Sequence, residues 1–519
     1  MRQPQAISRF IRSEDGGVLA FWGVCLAALL GMVALSFDFG RIAVTQTELQ
    51  AFADNVALAT AGELDGTADA LDRATLAAAQ LISDYQTYGN GDNVLSGATD
   101  YTLTFLASLP ESDTDIAADV TADPVDAAYV QVSVSAQTVD LTFAAAFSAL
   151  TGQDPMENVV SATAVAGFVS YACDVTPMMF CMPSPSWTAD ANIGQMIQLR
   201  AGGQGAAWTP GAFGFLDPSK VLVDTEGPCE GLNGGNLDRC LMGAAGPITQ
   251  CFSYRGVDIE PGQKTGSLEA AINTRFDIYN STMNGERNDA DYAPAPNVIK
   301  GIVPAGGGSC IGNNEALSPN TVGLPRDTCF GDGVTPNTCN SVNGGVGTRF
   351  GDGNWDRSGY FGTNYAPFDG TVPASIQGWL TTNAANAAQP TRYEVYRAEI
   401  ATAGDILTGD IDGNGNDGNP IAESGRPICN TRSNPDIDYS RRVIVAAGIN
   451  CGAPNNISGA ATNVPVEEYV KIFLTEPASN DGTGNSFTIW GEVAGTAGGD
   501  GDGVSEDAGL FRDLVQLYR

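Results

Sequence analysis

Apolar and polar positions along the chain divide it into regions of different texture. Gly16 to Phe37 (GGVLAFWGVCLAALLGMVALSF) runs 22 residues without a charge. A helix of that length covers about 33 Å, enough to cross the hydrocarbon of a bilayer. Asp38-Phe39-Gly40-Arg41 ends the run, and Asp38 to Gly62 carries no Pro, so the helix is predicted to continue beyond the membrane. Within it Ile42, Leu49 and Val56 recur every seven residues, with Thr45, Phe52 and Ala59 between them. Such a seam packs either on a partner helix or on the protein's own ectodomain. Asp65-Gly66-Thr67 then interrupts, and Ala68 to Tyr85 reads as a second helix.

Periodicity then shifts toward two. Asp100–Leu106 and Tyr129–Val139 alternate as strands do, Tyr129, Gln131, Ser133 and Ser135 opposing Val130, Val132 and Val134. Leu141–Leu150 reads as a short Ala/Phe helix stopped by Thr151-Gly152, Val159–Tyr171 as a buried strand, and Glu111–Asp126 as an acidic loop. From Cys173 onward short apolar runs sit among Gly, Asn, Asp and Pro. Strands are predicted over Gln195–Arg200, Lys220–Val223, Tyr393–Ile400, Arg442–Ala447, Tyr469–Leu474 and Phe487–Ala494, and a helix over Leu268–Tyr279. The expected organisation is a cytoplasmic tail (1–15), a transmembrane helix (16–37), a helical stem (38–88), a small α/β domain (89–172) and a Cys/Gly/Asn-rich ectodomain (173–519). The fold class is α+β: an anchor helix continuing into a stem laid on a small sheet, a pilin-like arrangement, followed by a β-rich, loop-rich, disulfide-stapled domain.

Flanking charge orients the span. Arg2, Arg9 and Arg12 precede it and Arg41 follows closely, so the N-terminus is expected in the cytoplasm and everything after the span outside it. A cleaved secretory signal is the competing reading, but its apolar core is about 7–15 residues with a small-x-small exit, and neither feature is present. A pseudopilin-type signal needs a Glu five residues after its Gly, where this chain has Phe21 and Trp22.

Of 11 cysteines, Cys25 lies in the span and ten lie beyond it, an even number on the side expected to be oxidising. Five disulfides are the simplest expectation. Short Pro/Gly/Asn-bearing loops make Cys173–Cys181, Cys329–Cys339 and Cys429–Cys451 the expected close pairs. No C-x2-C spacing favours a zinc site instead.

Charge bears on partners. Beyond the span stand 22 basic and 58 acidic residues, a net −36 that repels nucleic acid and favours divalent cations. The chain has no His, which excludes Ser-His-Asp triads, Cys-His pairs, H-E-x-x-H zinc sites and His general bases. No residue pattern identifies a nucleophile, a phosphate loop or a small-molecule site, so no enzyme activity is expected. Paired carboxylates are too numerous to inform.

Calcium is the one cofactor the residues suggest. Asp410, Asp412, Asn414 and Asn416 alternate as oxygen ligands with Gly415 at the sixth position, but the twelfth position is Ile421 and Glu423 falls two residues late. This is not an EF-hand; a looser Asp/Asn calcium loop or an Asx-rich turn both suit the pattern. Asp352, Asn354 and Asp356 form a second alternating cluster with the same two readings.

Gly16-Gly17 before the apolar run, Asp38-Phe39-Gly40-Arg41 after it, and LQAFADNVALATAG (Leu49–Gly62) together resemble the N-terminal module of the TadG-like Flp pilus-assembly family of the tight-adherence system. Further segments also resemble that family: WTPGAFGFLD (Trp208–Asp217), PGQKTG (Pro261–Gly266) with NTRFDIY (Asn273–Tyr279), GDGNWDRSGYF (Gly351–Phe361), TRYEVYRAEI (Thr391–Ile400) and RRVIVAAGINC (Arg441–Cys451). The resemblance implies a non-catalytic accessory protein of a pilus-assembly or secretion machine. It would be single-pass in a bacterial inner membrane, with a periplasmic or envelope-facing ectodomain and other assembly components as partners. An envelope or surface adhesin, calcium-dependent or not, is the alternative. The von Willebrand factor A metal site of some relatives, D-x-S-x-S, is broken here at Asp174-Val175-Thr176-Pro177-Met178, and where a His-bearing stretch is expected after GDGNWD the chain has Thr363-Asn364-Tyr365.

Overall fold

The computed structural model describes the chain apart from residues 1–16, 82, 89–93, 97–98, 111–118, 153–157, 174, 202–207, 218–226, 246–250, 254–255, 262–264, 306–307, 309, 313, 333, 340–347, 409–422, 433–437, 453–455, 458, 481–486, 498–510 and 519. It divides into two compact units, Met1–Val169 with Asp513–Arg519, and Ser170–Arg512.

In the first unit, helix α1 (Gly17–Ala61) is 45 residues long, about 67 Å. Its uncharged first half is exposed, and among the described residues this is the one helix long and apolar enough to cross a membrane. From Asp38 onward one face is buried: Thr45, Leu49, Phe52, Ala53, Val56, Ala57 and Thr60, a 3.6-residue stripe. The stripe packs on the protein's own sheet, which answers the question left open by the heptad spacing. Helix α2 (Ala70–Leu81) turns back on α1, burying Ala74 and Ala78. Arg73 holds the turn through Glu63, Asp65 and Asp69. The expected second helix ends at Leu81 because Ser83–Tyr85 (β1) pairs with Val94–Ser96 (β2).

The sheet beneath α1 is antiparallel. β3 (Tyr101–Leu106) pairs with β4 (Tyr129–Thr138), Tyr101 opposite Val134, and β4 with β5 (Val159–Cys173), Val132 opposite Ala164. Val130, Val132 and Val134 share the core with Ala162, Ala164 and Ala166, whose small side chains leave room for Phe52 of α1. Helix α3 (Thr142–Thr151) fills the β4–β5 connection and ends at Gly152 in the left-handed conformation. The C-terminal strand, Phe511–Leu517, pairs with the free side of β5, a contact nothing in the sequence announced.

The second unit is built on a closed ring of strands. β6 (Met178–Cys181), β7 (Met196–Ala201), β8 (Ala212–Leu216), β9 (Cys251–Ser253) and β10 (Val257–Pro261) precede a short hairpin, β11 (Ile302–Pro304) with β12 (Glu315–Leu317). β13 (Val443–Ile449), β14 (Ala461–Val464), β15 (Glu468–Leu474), β16 (Ser479–Asn480) and β17 (Phe487–Thr496) follow. Pairing runs β8–β6–β13–β15–β17 and returns through β7 to β8, closing six strands into a barrel. Alternate residues fill one core: Met178, Phe180, Leu199, Phe213, Phe215, Ile444, Val470, Ile472 and Ile489. Their sequence neighbours Met179, Cys181, Ala212, Leu216 and Tyr469, with Ile449, form a second cluster on the other face. β10 and β14 extend the sheet from β8, and β9 pairs with the last residues of β5, Cys173 opposite Cys251.

Helices α4 (Gly234–Gly243) and α5 (Thr265–Asn273) join the barrel core. α6 (Arg357–Asn364), α7 (Ala374–Asn383) and α8 (Arg392–Thr402) form a separate aromatic cluster against Phe473 of β15. Helix α8 overturns the strand expected over Tyr393–Ile400. Thr391 and Glu394 make a reciprocal capping box, and Tyr393, Tyr396 and Glu399 bury at helical spacing. The Lys220–Val223 strand lies outside the described residues; the expected strands at 195–200, 442–447, 469–474 and 487–494 are β7, β13, β15 and β17.

Four disulfides are described. Cys329–Cys339 is bonded as expected, and Cys229–Cys240 is a second local loop. The other two expected pairs are corrected. Cys181 bonds Cys451, not Cys173, because β6 and β13 run parallel with Cys181 opposite Ile449. Cys429 bonds Cys310, not Cys451. Ile278 bridges Ile311 while the Asp277 carboxylate accepts the N–H groups of Ile428, Cys429 and Asn430, which draws the two cysteines to one place. Loop length alone had favoured the nearer partners.

Buried polar staples hold the loops to the barrel. Arg392, sealed from solvent, donates to Asp327 at 2.5 Å, to Glu492 at 2.9 Å and to the Pro325 carbonyl at 2.6 Å. Arg441 donates to the carbonyls of Ala293 and Ala244, and Arg442 to those of Leu474 and Thr475, with its guanidinium over Phe276 and Phe473. Removing one partner from such a buried group leaves charge uncompensated, at a cost of about 3–5 kcal/mol. Arg392→Met is therefore expected to lower unfolding free energy by that order in urea titrations of the detergent-solubilised chain, whereas Arg326→Ala, which breaks a half-exposed pair with Glu476, should cost about 1 kcal/mol or less.

Candidate functional site at the end of the apolar run

The residues that end the apolar run converge on one place in the first unit. Asp38 and Arg41 stand three apart on α1, hence on the same face. The Asp38 carboxylate accepts the backbone N–H groups of Phe143 at 3.3 Å and Ala144 at 2.8 Å. These are first-turn donors of α3, which has no cap of its own because its N-cap position is Leu141. Asp38 thus caps α3 from about a hundred residues away, with its charge at the positive end of the helix dipole. Arg41 donates to the Asp140 carbonyl at 2.9 Å and lies over the rings of Phe37 and Tyr88. Phe37 meets Phe143 edge to face at 5.7 Å. The Asp-Phe-Gly-Arg step is a clamp fixing the emerging helix to the α3 segment. Nothing lies within 4 Å of where a Gly40 Cβ would stand, so these contacts do not require that glycine.

Farther along α1, Gln46 and Gln50 donate to the Ser161 and Thr163 carbonyls of β5. The stem and sheet therefore form one body directly outside the apolar half of the helix.

The candidate ligand residues sit elsewhere. Asp410, Asp412, Asn414 and Asn416 lie outside the described residues. Glu423, the carboxylate two places late for a calcium loop, is buried and accepts from the backbone N–H groups of Lys300 and Gly301, the Lys300 ammonium and the Thr321 hydroxyl. Asp352 accepts from the Asn354 N–H at 3.0 Å, an Asx turn, and Asp356 caps α6 through the Gly359 N–H at 2.8 Å. Asp352 also falls near Asp327 and Cys329. There the sulfur is bonded to Cys339, and the Asp327 oxygens accept from Arg392, Asp352, Gly353 and Met196. Gly351 is needed at this point, since a Cβ would stand 2.0 Å from the Asp327 carboxylate.

Glu399 is the perturbed carboxyl the sequence did not single out. Complete burial pushes its pKa from 4.5 up to about 7, against three donors: Tyr360 at 2.7 Å, Tyr365 at 2.9 Å and Asn297 at 2.7 Å. All four side chains are buried, so a substrate has no approach to the carboxyl and its chemistry is that of a core group. The segments Asn273–Tyr279, Gly351–Phe361, Thr391–Ile400 and Arg441–Cys451 supply these staples. Trp208 lies on Gly214, where a Cβ would come within 2.6 Å of the indole, and its Nε1 donates to the Gly459 carbonyl.

Two outcomes follow. Asp38→Ala removes the cap on α3 and should cost about 1 kcal/mol, read as a lower melting temperature of the detergent-solubilised chain; Asp38→Asn should retain part of it. Because Glu399 holds its proton to about pH 7 when folded but to about 4.5 when unfolded, stability present below pH 4.5 is lost as pH rises through 7. The loss is about 3 kcal/mol, and Glu399→Gln should flatten that part of the urea-measured stability profile.

Comparison with known proteins bears on the same segment. Residues 16–63 match the Tad family model, described as "Putative Flp pilus-assembly TadE/G-like". No match to the chain was found among the curated proteins or among the solved structures. The matched residues contain the apolar run, the clamp residues Asp38 and Arg41 and the buried stripe of the stem. Over that stretch the chain is similar to the TadE/G-like Flp pilus-assembly family.

Proposed function

We propose that the chain is a non-catalytic accessory component of a Flp/Tad-type pilus-assembly or secretion machine, anchored by α1 as a single pass through the bacterial inner membrane. The short N-terminus lies in the cytoplasm, and the sheet, the barrel and the disulfides face the periplasm. The observation that carries this reading is the coincidence of the family match at residues 16–63 with a helix that is apolar and exposed before Asp38 and packed on its own sheet after it. The four described disulfides support placement in an oxidising compartment. The partners are other components of the machine, and neither nucleic acid nor a small-molecule substrate enters the role.

The test is genetic and topological together. Replacing the chromosomal gene with one lacking residues 16–63 should abolish surface fibres, and a reporter fused after Arg519 should be active only outside the cytoplasm. Wild-type fibres in the deletion strain would sink the assembly role; a reporter active only in the cytoplasm would sink the orientation.

A further inference from the structure

Helix α3 is patterned inside out. Across Thr142–Thr151 (TFAAAFSALT) the sole buried residue is the polar Ser148. Phe143, Phe147 and Leu150 stand at i, i+4 and i+7, one helical face, and are 43%, 61% and 85% exposed. No charge occurs from Leu141 to Gly152. A helix that turns its serine inward and its phenylalanines outward is matched to an apolar surrounding rather than to water.

Its position says which surrounding. The Asp38 carboxylate caps its first turn, and Phe37, last residue of the uncharged run, meets Phe143 edge to face. Phe143 therefore lies beside the last residue of the uncharged run, so the exposed apolar face of α3 begins where the exposed apolar surface of α1 ends, at Phe37 and Phe39. Aromatic side chains favour the interface level of a bilayer.

We propose that α3 is an interfacial foot: Phe143, Phe147 and Leu150 insert into the bilayer surface on the side where α1 emerges, at a depth of about 5–10 Å. The clamp formed by Asp38 and Arg41 sets the angle between foot and span, giving the first unit two points of membrane contact. This rests on the reading of α1 as a membrane span.

The test uses the full chain in vesicles of zwitterionic and anionic phospholipid, with bromines carried either near the top of the acyl chains or near their ends. Phe147→Trp and Leu150→Trp are each compared with the parent for the added tryptophan emission; both sites are exposed, so the larger ring is accommodated. Leu29→Trp, within the span, is the control. The expected result is blue-shifted added emission, quenched more by shallow bromines than by deep ones, with Leu29→Trp quenched as well. Quenching at Leu29→Trp without quenching at either α3 position overturns the foot and leaves the span standing. A blue shift at α3 that no bromolipid quenches assigns the face to a protein partner and equally overturns it. Loss of quenching at all three positions removes the span itself.

Discussion

A guanidinium sealed from water between two carboxylates is the constraint on which the larger unit depends. Arg392 meets Asp327 and Glu492, all without solvent exposure, and so joins the start of α8, the loop before the Cys329–Cys339 bridge and the outer face of β17. Burying three charges is costly and is offset only when every donor and acceptor is filled. Here the carboxylates also accept backbone N–H groups from Arg392, Tyr393, Asp352 and Gly353. The arrangement adds little net stability over an apolar core, but misplacing any one loop exposes an unpaired charge. It specifies one arrangement of loop-rich chain in which short strands alone would leave several.

The same logic recurs at Asp277, Glu423, Arg441 and Arg442. Each is a charged side chain that collects backbone groups from loops distant in sequence. Disulfides then close the loops so gathered, Cys310–Cys429 beside Asp277 being the clearest case. At these four positions the charged side chain points inward to backbone groups.

In the first unit a single helix has two halves of different character. Its apolar first half is exposed and long enough to cross a membrane, and its second half spends one face on a sheet lined with alanine and valine. Between them Asp38 and Arg41 tie the end of the apolar run to the α3 segment, Asp38 by satisfying the first turn of α3.

Local chemistry was legible in the residues. The charge-free run, the stem helix, the alternation of β3 and β4, the buried strand β5 and four of the six barrel strands, β7, β13, β15 and β17, could be read directly, because each depends on neighbours within a few positions; β6 and β8 were not anticipated. Other features depend on residues brought together from far apart. The strand expected over Tyr393–Ile400 is a helix whose faces are decided by Phe473 and Glu492, and short loops suggested cysteine pairs that the parallel contact of β6 with β13 and the Asp277 hydrogen bonds reassign. The roles of Glu399 and Asp38 rest on partners dozens to a hundred residues away. Sequence by itself determined where the long apolar run lies and most of the local helix and strand pattern; tertiary structure alone decided the helix at Arg392–Thr402, the closure of the barrel, the pairing of the sulfurs and the outward turn of the α3 phenylalanines, because burial and long-range hydrogen bonds exist only once distant segments share a surface.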